Sequence, residues 1–453
     1  MQLNIFGGIL MTNKIDGVWT LEGIVEQKNA ELGLLNGYVG IGQGGSKMVD
    51  AIAGIKNKAG NPMYPVMIVN SNVGDMTSLK NIPKRLQFAL KGYDKGVGKD
   101  PAVGKQAFQE NGAPIFNAII ENMGHCNMIY VVCSLGGGTG TGALNVLVNA
   151  ISDHLGVPVS VICSMPRPNK IESHNAYNAL AELAPKLREL REDDEGRTYR
   201  ALESLVLLDN EKIILEHTNN PEVTGLTWDF YSNYKFASIT HEWNVLSTLE
   251  SQYTVDAADL SNHIITGGGL ITYGKKRINL DEVRNKEDLI SEIITTYKEN
   301  NVLANGFDYE NDMRAMAMVV VIPRERENVL NQDTLEIIRT RIMEELPNIN
   351  FYPGFVTWGS KRNAVVYTMA RLEGLPERAK NLRQEVEELT KREEESRQRT
   401  SGFDMGAIIE SSSRTTTRRA TGGNPFLTAA SKPANTITTN PSINKPKTNP
   451  FEV

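Results

Sequence analysis

The most constraining feature of the sequence is the run GGGTGTG at positions 136–142, which places five glycines in seven residues. An apolar stretch, residues 128–135, precedes this run, and residues 143–155 follow it with the residue types of a helix. Closely spaced glycines let a backbone approach a ligand, and the start of a helix directs free N–H groups at an anion. Because a plain turn needs only one or two glycines, the run predicts a phosphate-binding loop between a strand and a helix.

Strands and helices alternate in the same way over the first half of the chain. Further apolar runs predict buried strands at residues 38–45, 64–70, 157–165 and 205–209, with helix-like segments between most of them. Continuous apolar strands separated by helices indicate a parallel sheet that is covered on both faces. Such sheets bind ligands at the carboxyl ends of their strands, where the glycines and asparagines of this chain fall. The predicted fold class is therefore α/β, with a Rossmann-type parallel sheet.

The second half has a different pattern. Residues 228–250 predict one long helix with a single apolar stripe. Strands with longer polar connections, at residues 270–273, 315–322 and 364–369, predict a smaller mixed α/β domain. Residues 375–399 predict another long helix, with Pro376 in its first turn. We interpret it as a surface helix, because its apolar repeat is too short for a coiled coil.

Charge and cysteine content limit the classes of function. The 453 residues carry a net charge of -6, of which residues 401–453 contribute +3 and residues 1–400 contribute -9. An acidic body does not look like a nucleic-acid binder, so contact with DNA would have to pass through the tail or an adaptor. The three cysteines cannot form a disulfide framework, and no apolar run reaches the roughly 18 residues of a membrane helix. These observations predict a cytoplasmic protein that does not engage a membrane.

The tail from residue 400 consists mainly of Ser, Thr, Asn, Pro and Gly, a composition that buries too little apolar surface to fold alone. It contains Asn-Pro-Phe twice, at residues 424–426 and 449–451. An aromatic side chain after a turn-forming pair, repeated in a disordered segment, indicates a docking motif. Chance recurrence in so biased a composition is an equally good explanation.

A second glycine loop, residues 40–45, matches the G-x-G-x-x-G pattern of dinucleotide-binding proteins. Such proteins need an acidic residue at the end of the second strand, about 20 residues on, to hold the ribose. Here that strand ends in Asn70-Ser71-Asn72, so a dinucleotide-dependent oxidoreductase is a remote alternative. The P-loop pattern G-x-x-x-x-G-K-[ST] does not occur in the chain.

Two glycine loops on one parallel sheet, the second of them reading GGGTGTG, resemble the tubulin/FtsZ superfamily over roughly residues 34–395. The resemblance implies a GTPase that binds GTP or GDP with Mg²⁺, and Gln43 falls where tubulins keep a glutamine near the metal. Further motifs match the family in the same order along the chain. The nucleotide-contacting residues that the resemblance implies are Gly42, Gln43, Gly44, Gly45, Asn70, Asn72, Gly98, Lys99, Gly136, Gly137, Gly138, Thr139, Gly140, Thr141, Pro166, Asn210 and Asn233.

Three positions depart from the family pattern in the nucleotide-binding motifs. FtsZ usually has an aspartate where Asn72 lies. Counted from Pro166, the ribose-binding Glu of the family and its following Arg would fall on Lys170 and His174, whereas Glu172 fits only with a shift of two residues. The ribose contact therefore stays open among Lys170, Glu172 and His174.

The segment after the central helix reads TVDAAD at residues 254–259, where FtsZ carries N-x-D-x-x-D on a loop that enters the nucleotide site of the next subunit. Both aspartates match, and Thr254 replaces the Asn. The resemblance implies that Asp259, with Asp256 as second choice, completes GTP hydrolysis in the neighbouring subunit, because phosphoryl transfer needs mainly a positioned water and neutralised oxygens. The alternative is that two acids near a helix start simply favour its N-terminus.

The extended C-terminal helix and the polar, basic tail most resemble the TubZ family of plasmid- and phage-borne tubulins. That resemblance implies homopolymeric filaments that segregate plasmid or prophage DNA, with no direct nucleic-acid contact by the core. It also implies that the tail, through Phe426, Phe451, Arg418 and Arg419, engages a TubR-like DNA-binding adaptor on centromere DNA. A divergent FtsZ-like division or phage-centring tubulin with the same chemistry is the alternative.

The predicted organisation has six parts. They are an N-terminal extension at 1–33, a GTP-binding domain at 34–226, a central helix and catalytic loop at 227–261, a C-terminal α/β domain at 262–374, a C-terminal helix at 375–400 and a disordered basic tail at 401–453.

Overall fold

The computed structural model describes residues 30–399 apart from 221, 222, 224, 250, 252, 360 and 361. These residues form an α/β fold built on a ten-stranded sheet, with a separate antiparallel pair, β6 and β7. The strands are β1 (Asn36–Ile41), β2 (Val66–Asn70), β3 (Gln87–Ala89), β4 (Met128–Ser134), β5 (Val159–Met165), β6 (Leu190–Glu192), β7 (Thr198–Arg200), β8 (Ser204–Asp209), β9 (Gly269–Asn279), β10 (Met313–Ile322), β11 (Asn350–Thr357) and β12 (Asn363–Leu372).

Fourteen α-helical segments lie between or after these strands within the described residues. They are α1 (Gly42–Ala53), α2 (Val73–Met76), α3 (Pro101–Met123), α4 (Thr139–His154), α5 (Lys170–Leu183), α6 (Asn210–Asn219), α7 (Trp228–Leu246), α8 (Ala257–Asp259), α9 (Lys286–Ile294), α10 (Thr296–Glu299), α11 (Tyr309–Asp312), α12 (Gln332–Glu345), α13 (Glu377–Lys380) and α14 (Leu382–Arg399). Within the part of the chain that the structure describes, no helix has both the length and the apolar character needed to cross a membrane.

The main sheet has the strand order β11-β10-β12-β9-β8-β5-β4-β1-β2-β3. The strands from β3 to β9 in this order pair in parallel, whereas β12 is antiparallel to both β9 and β10. The order changes direction at β1, which lies between β2 and β4. A reversal of this kind opens a crevice at the carboxyl ends of the strands, which is the usual ligand position in an open α/β sheet.

The first predicted strand is too long. The sequence pattern predicts a strand over residues 38–45, but β1 ends at Ile41 and α1 begins at Gly42. Glycines occupy the first turn of α1 because residues without a side chain let this helix lie close to the sheet. A Cβ at Gly45 would lie 2.1 Å from the carbonyl oxygen of Val132 in β4, so only glycine fits there.

The mixed α/β pattern of the second half is confirmed, and its strands continue the parallel sheet through the pairing of β8 with β9. The sequence pattern gives no sign of β11, because Pro353 and Gly354 interrupt its apolar residues. Proline is tolerated in a strand at the edge of a sheet, and β11 is the last strand in the order.

Two predicted helices differ in detail. The central helix α7 ends at Leu246 rather than residue 250, and it is buried nearly all round rather than along one stripe, so that even Glu242 is 0% exposed. The predicted helix at 375–399 is divided into α13 and α14 at Asn381, whose φ of -94° and ψ of 5° are not helical. Pro376 precedes α13 as its N-cap. The predicted tail residues Phe426, Phe451, Arg418 and Arg419, and the first 29 residues, lie outside the described part of the chain.

Candidate functional site

A cavity of about 880 Å³ opens at the carboxyl ends of the parallel strands, where the strand order changes direction. Its walls are the glycine loop, the first turn of α1, the residues after β2, the residues 95–99 and the first turns of α6 and α7. All the nucleotide-contacting residues that the sequence predicts line this cavity, except Gly45 and Thr141. The fold thus collects these residues from across most of the first 233 positions of the chain.

The two exceptions hold helices against the sheet. Gly45 packs on β4, as described above, and the buried Thr141 hydroxyl donates a hydrogen bond to the carbonyl oxygen of Leu135 over 3.0 Å. Both residues belong to glycine-rich motifs, yet they face away from the cavity. They support the loops and do not offer groups to a ligand.

The glycine loop forms the floor of the cavity. Gly136, Gly137 and Gly138 connect β4 to α4, and a Cβ built on Gly137 would meet no atom within 4 Å. Thr139 begins α4, and its hydroxyl forms a hydrogen bond with the hydroxyl of Ser71 over 2.7 Å. The start of α4 therefore directs backbone N–H groups into open space, an arrangement that suits phosphate oxygens.

A tight turn at residues 97–100 forms one side of the cavity. The Asp100 N–H donates to the carbonyl oxygen of Val97 over 3.1 Å, and the two central residues, Gly98 and Lys99, have φ of 63° and 62°. Lys99 is the one non-glycine residue with a positive φ in the described ranges. Its Nζ lies 2.6 Å from Oε1 of Glu172, so an ammonium group and a carboxylate meet in the cavity wall.

The far end of the cavity carries amide side chains and an indole. Asn210 follows β8 directly, and Asn233 lies in the second turn of α7. Trp228, the first residue of α7, also lines the cavity and is 40% exposed. An exposed indole can lie against the face of a purine while amides pair with its edge. The sequence analysis does not identify Trp228 as a cavity residue, because an apolar residue at that position is also expected in a buried helix.

Asp229 and Lys47 form an ion pair at the same end of the cavity, with Nζ and Oδ2 2.9 Å apart. Burial by itself would raise the pKa of Asp229, but hydrogen bonds from Thr227 and Lys47 outweigh it and hold that pKa below its usual value. The carboxylate is therefore ionised at neutral pH, and its charge is balanced within the wall.

Asp75 is a cavity residue that the sequence analysis does not identify. It lies in the first turn of α2, and its Oδ1 accepts a hydrogen bond from Gln43 Nε2 over 3.3 Å. Family comparison directs attention to Asn72, but the Asn72 side chain caps α2 by accepting from the Gly74 N–H over 2.9 Å. The helical turn after this cap brings Asp75 round to the cavity. An acid three residues after a capping asparagine is the signal that could have found it.

Only one of the three candidate ribose contacts reaches the cavity. Glu172 lines it, whereas Lys170 and His174 do not. The cause is the N-cap of α5, where the Asn169 side chain accepts a hydrogen bond from the Glu172 N–H over 3.2 Å. This cap sets the rotation of the first turn and directs Glu172 inward.

Asp256 and Asp259 lie outside the cavity. The cavity contains the beginning of α7, a helix of 19 residues that is about 28 Å long, and the two aspartates follow the end of this helix. Asp256 is exposed and caps α8, with its Oδ1 accepting from the Asp259 N–H over 2.8 Å. The helix-start role that competes with catalysis is thus present for Asp256, and Asp259 is left with a partly exposed carboxylate.

In the described residues no three His, Cys, Asp or Glu side chains converge to hold a metal ion. A divalent cation in the cavity would therefore take most of its ligands from phosphate and water, which is the usual manner of Mg²⁺ binding. Asp75 and Gln43 are the polar pair beside the phosphate-binding loops that could anchor such an ion.

Comparisons with known proteins agree with this geometry. The model of the tubulin/FtsZ family GTPase domain matches residues 37–214, and that of the TubZ-like C-terminal domain matches residues 242–383. The tubulin-like protein TubZ of Bacillus cereus is 24% identical over 394 residues, which cover 83% of this chain and 87% of that protein.

Two solved structures show the same fold. A GTPγS-form protofilament of TubZ from Bacillus thuringiensis serovar israelensis has a TM-score of 0.69 and 22% identity, with 83% of this chain and 96% of that chain covered. A TubZ described as a type III plasmid segregation protein has a TM-score of 0.67 and 23% identity, with 82% and 96% covered. The matched GTPase domain contains most of the cavity, and the remaining wall is formed by residues 227–233. The chain therefore belongs to the tubulin/FtsZ superfamily, as a GTPase with a TubZ-like C-terminal domain.

Proposed function

We propose that this GTPase assembles head to tail into filaments and hydrolyses each nucleotide at a junction between two subunits. The observation that supports the proposal is the distance between the binding loops and the two aspartates. The cavity lies at the beginning of α7, and Asp256 and Asp259 lie beyond its end. Within one chain the cavity and the two aspartates lie apart. A second subunit stacked in the same orientation would bring its aspartates to the cavity of the first subunit.

Within such a junction the two chains have different roles. The glycine loop and Lys99 hold the phosphates through backbone N–H groups and an ammonium, and the N–H groups of the glycine loop are in place before the reaction begins. Asp259 of the next subunit orients a water molecule for in-line attack on the γ-phosphate. Because only assembly supplies that carboxylate, turnover is coupled to filament formation. The described protofilament of the Bacillus thuringiensis relative supports this arrangement.

Mg²⁺ is the cofactor that the family implies for this site, and Gln43 and Asp75 are the residues that would hold it. The Asp75 carboxylate accepts hydrogen bonds from Gln43 and Asn70, but its negative charge would still repel a triphosphate, whereas Mg²⁺ binds through one or two carboxylates together with phosphate oxygens and water. The donor set therefore fits the ion. When bound, Mg²⁺ neutralises charge on the phosphate oxygens during hydrolysis.

Replacing Asp75 by Asn should raise the Mg²⁺ concentration for half-maximal GTP turnover about 10-fold or more, because even a group that holds a metal through a bound water changes metal affinity by that order. GTP turnover across a Mg²⁺ titration measures the effect. Asp94→Asn is the matched control, since Asp94 is exposed directly before residues 95–99 of the cavity wall but does not itself line the cavity. An unchanged Mg²⁺ requirement in Asp75→Asn would remove Asp75 from the metal site.

We further propose that the filament segregates plasmid or prophage DNA. The TubZ-like C-terminal domain and the relative described as a plasmid segregation protein support this proposal over an FtsZ-like role in division. The first 400 residues carry a charge of -9, so DNA would be reached through the basic tail and a DNA-binding adaptor. The tail, with Phe426 and Phe451, lies outside the described residues, and its contact with an adaptor stays a prediction.

GTP turnover per molecule, measured against protein concentration with light scattering on the same samples, tests the filament proposal. We expect turnover and scattering to rise together above a threshold concentration, because the complete site exists only between subunits. ATP in place of GTP is the control for base selection. Turnover that does not depend on protein concentration would show a self-contained site and contradict the proposal.

A further inference from the structure

Asn175 on α5 contacts two of the loops that line the cavity. It is 5% exposed, and its Nδ2 donates to the carbonyl oxygen of Lys99 over 3.0 Å and to that of Gly136 over 3.3 Å. A side-chain amide has two N–H groups, so this one residue can hold one point on each loop. Asn175 does not line the cavity itself, and any effect on a nucleotide must pass through the two loops.

The Lys99 end of this contact holds an unfavourable backbone conformation. Lys99 has φ of 62°, in the left-handed region that residues with a Cβ rarely adopt. Such conformations persist where the surrounding structure holds them, and they are concentrated at functional sites. The Asn175 hydrogen bond is made to the carbonyl group of this residue. We therefore read it as a contact that keeps the turn in its strained form.

The same helix also holds the Lys99 side chain. Glu172 lies one turn before Asn175 on α5, and its Oε1 is 2.6 Å from Lys99 Nζ. One helix thus fixes both the main chain and the ammonium group of a single cavity residue. An incoming phosphate would have to draw the ammonium from the Glu172 carboxylate, whereas the main-chain contact with Asn175 could remain in place.

The two loops also touch each other directly. A Cβ built on Gly138 would lie 2.6 Å from the Asp100 nitrogen and 2.8 Å from the Asp100 carbonyl oxygen. Because these contacts are between backbone atoms, the 97–100 turn cannot shift without changing its distance from the glycine loop. Asn175 bridges these two loops on the side of α5.

Each loop suits a different part of the phosphate chain. The glycine loop offers the N–H groups of a helix start. Within the described residues, the N–H groups of Gly98 and Lys99 meet no acceptor, and the Lys99 side chain is 55% exposed. Successive free N–H groups next to an ammonium make a concave anion site. A diphosphate can be held by the first loop alone, whereas a triphosphate spans both.

We propose that Asn175 is a positioning residue that sets the spacing of these two loops, and with it the preference of the site for GTP over GDP. The inference rests on the proposed function, because it requires that the cavity binds guanine nucleotides. Without the Asn175 amide the turn relaxes, Lys99 moves away from the third phosphate, and the glycine loop continues to hold the diphosphate.

The affinities of Asn175→Ala for GTPγS and GDP test this inference, measured by competition against a fluorescent GDP at protein concentrations below the assembly threshold. We expect the preference for GTPγS over GDP to fall about 10-fold, in keeping with the loss of the buried hydrogen bond that holds the Lys99 carbonyl group. GDP affinity should change less than about twofold. Asn178→Ala is the matched control, since Asn178 is exposed on the same helix and bonds His174 rather than a loop.

A second variant and a second measurement separate positioning from folding. Asn175→Ser keeps one donor that can reach one carbonyl group at most, and we expect a smaller loss of preference. Hydrogen exchange in residues 96–104 should become faster in both variants, with protection in β4 and β5 unchanged. Equal weakening of GTPγS and GDP, or an unchanged preference, would overturn the inference. A wild-type protein that binds neither GTPγS nor GDP would instead overturn guanine-nucleotide binding by the cavity, and wild-type turnover that does not depend on protein concentration would overturn the proposed function.

Discussion

Replacing Asp259 by Ala should lower GTP turnover above the assembly threshold about 100-fold or more, a typical cost for losing a group that positions or activates the attacking water. GTP affinity should stay within about twofold of the wild type. The reason is geometric, because Asp259 lies beyond the end of α7 and does not line the cavity of its own chain. Filaments that bind GTP but cannot hydrolyse it should persist, so sedimentation should show more polymer at steady state together with less released phosphate.

Asp256 needs a different substitution from Asp259. Its Oδ1 caps α8 by accepting from the Asp259 N–H, so Asp256→Ala would also displace Asp259. Ser is an equally good N-cap, and Asp256→Ser therefore removes the carboxylate while keeping the turn. Asp281→Ala is a surface control, because Asp281 pairs with Arg326 away from both the cavity and the α8 segment. Wild-type turnover in both Asp259→Ala and Asp256→Ser would remove this segment from catalysis.

The position of the phosphate loops is predictable from the sequence because their requirements are local. A strand, a run of glycines and a helix start follow one another in the chain, and Gly136, Gly137 and Gly138 line the cavity as the pattern indicates. Residues whose role depends on a distant partner are not predictable in this way. Gly45 has the same sequence context as Gly44, yet it is required by the Val132 carbonyl oxygen in another strand.

Asp75 and Trp228 show the same limit for side chains that bind. Whether Asp75 reaches the cavity depends on how the Asn72 cap rotates α2, and this rotation is a property of the folded turn. Whether Trp228 is exposed depends on where α7 emerges from the body of the protein. Neither the rotation of α2 nor the exposure of Trp228 can be predicted from residue type and spacing. The role of Asn175 is still harder to predict from the sequence, because a single asparagine in a helix belongs to no recognisable motif. Its role depends on the two loops that meet it in the folded protein.

Replacing Gly142 by Ala should lower the free energy of unfolding by about 2 kcal/mol or more, because it forces α3 and α4 apart. A Cβ at position 142 would lie 2.1 Å from the Pro101 carbonyl oxygen and 2.5 Å from the Lys105 nitrogen. Both are backbone atoms that cannot rotate away, and overpacking of this kind costs about 1–3 kcal/mol, occasionally more. The better helix propensity of Ala offsets at most about 1 kcal/mol of that cost. Urea denaturation of the nucleotide-free protein measures the effect.

Gly137→Ala is the matched control from the same heptapeptide. A Cβ at Gly137 meets no atom within 4 Å but projects from a loop that lines the cavity, so stability should stay within about 0.5 kcal/mol while nucleotide affinity falls. We therefore expect Gly142→Ala to lose stability and Gly137→Ala to lose nucleotide affinity. Equal stability of Gly142→Ala and the wild type would mean that α3 and α4 tolerate a wider separation than their backbone contact indicates. In that case the GGGTGTG sequence would be explained by phosphate binding alone, without a packing requirement at its last glycine.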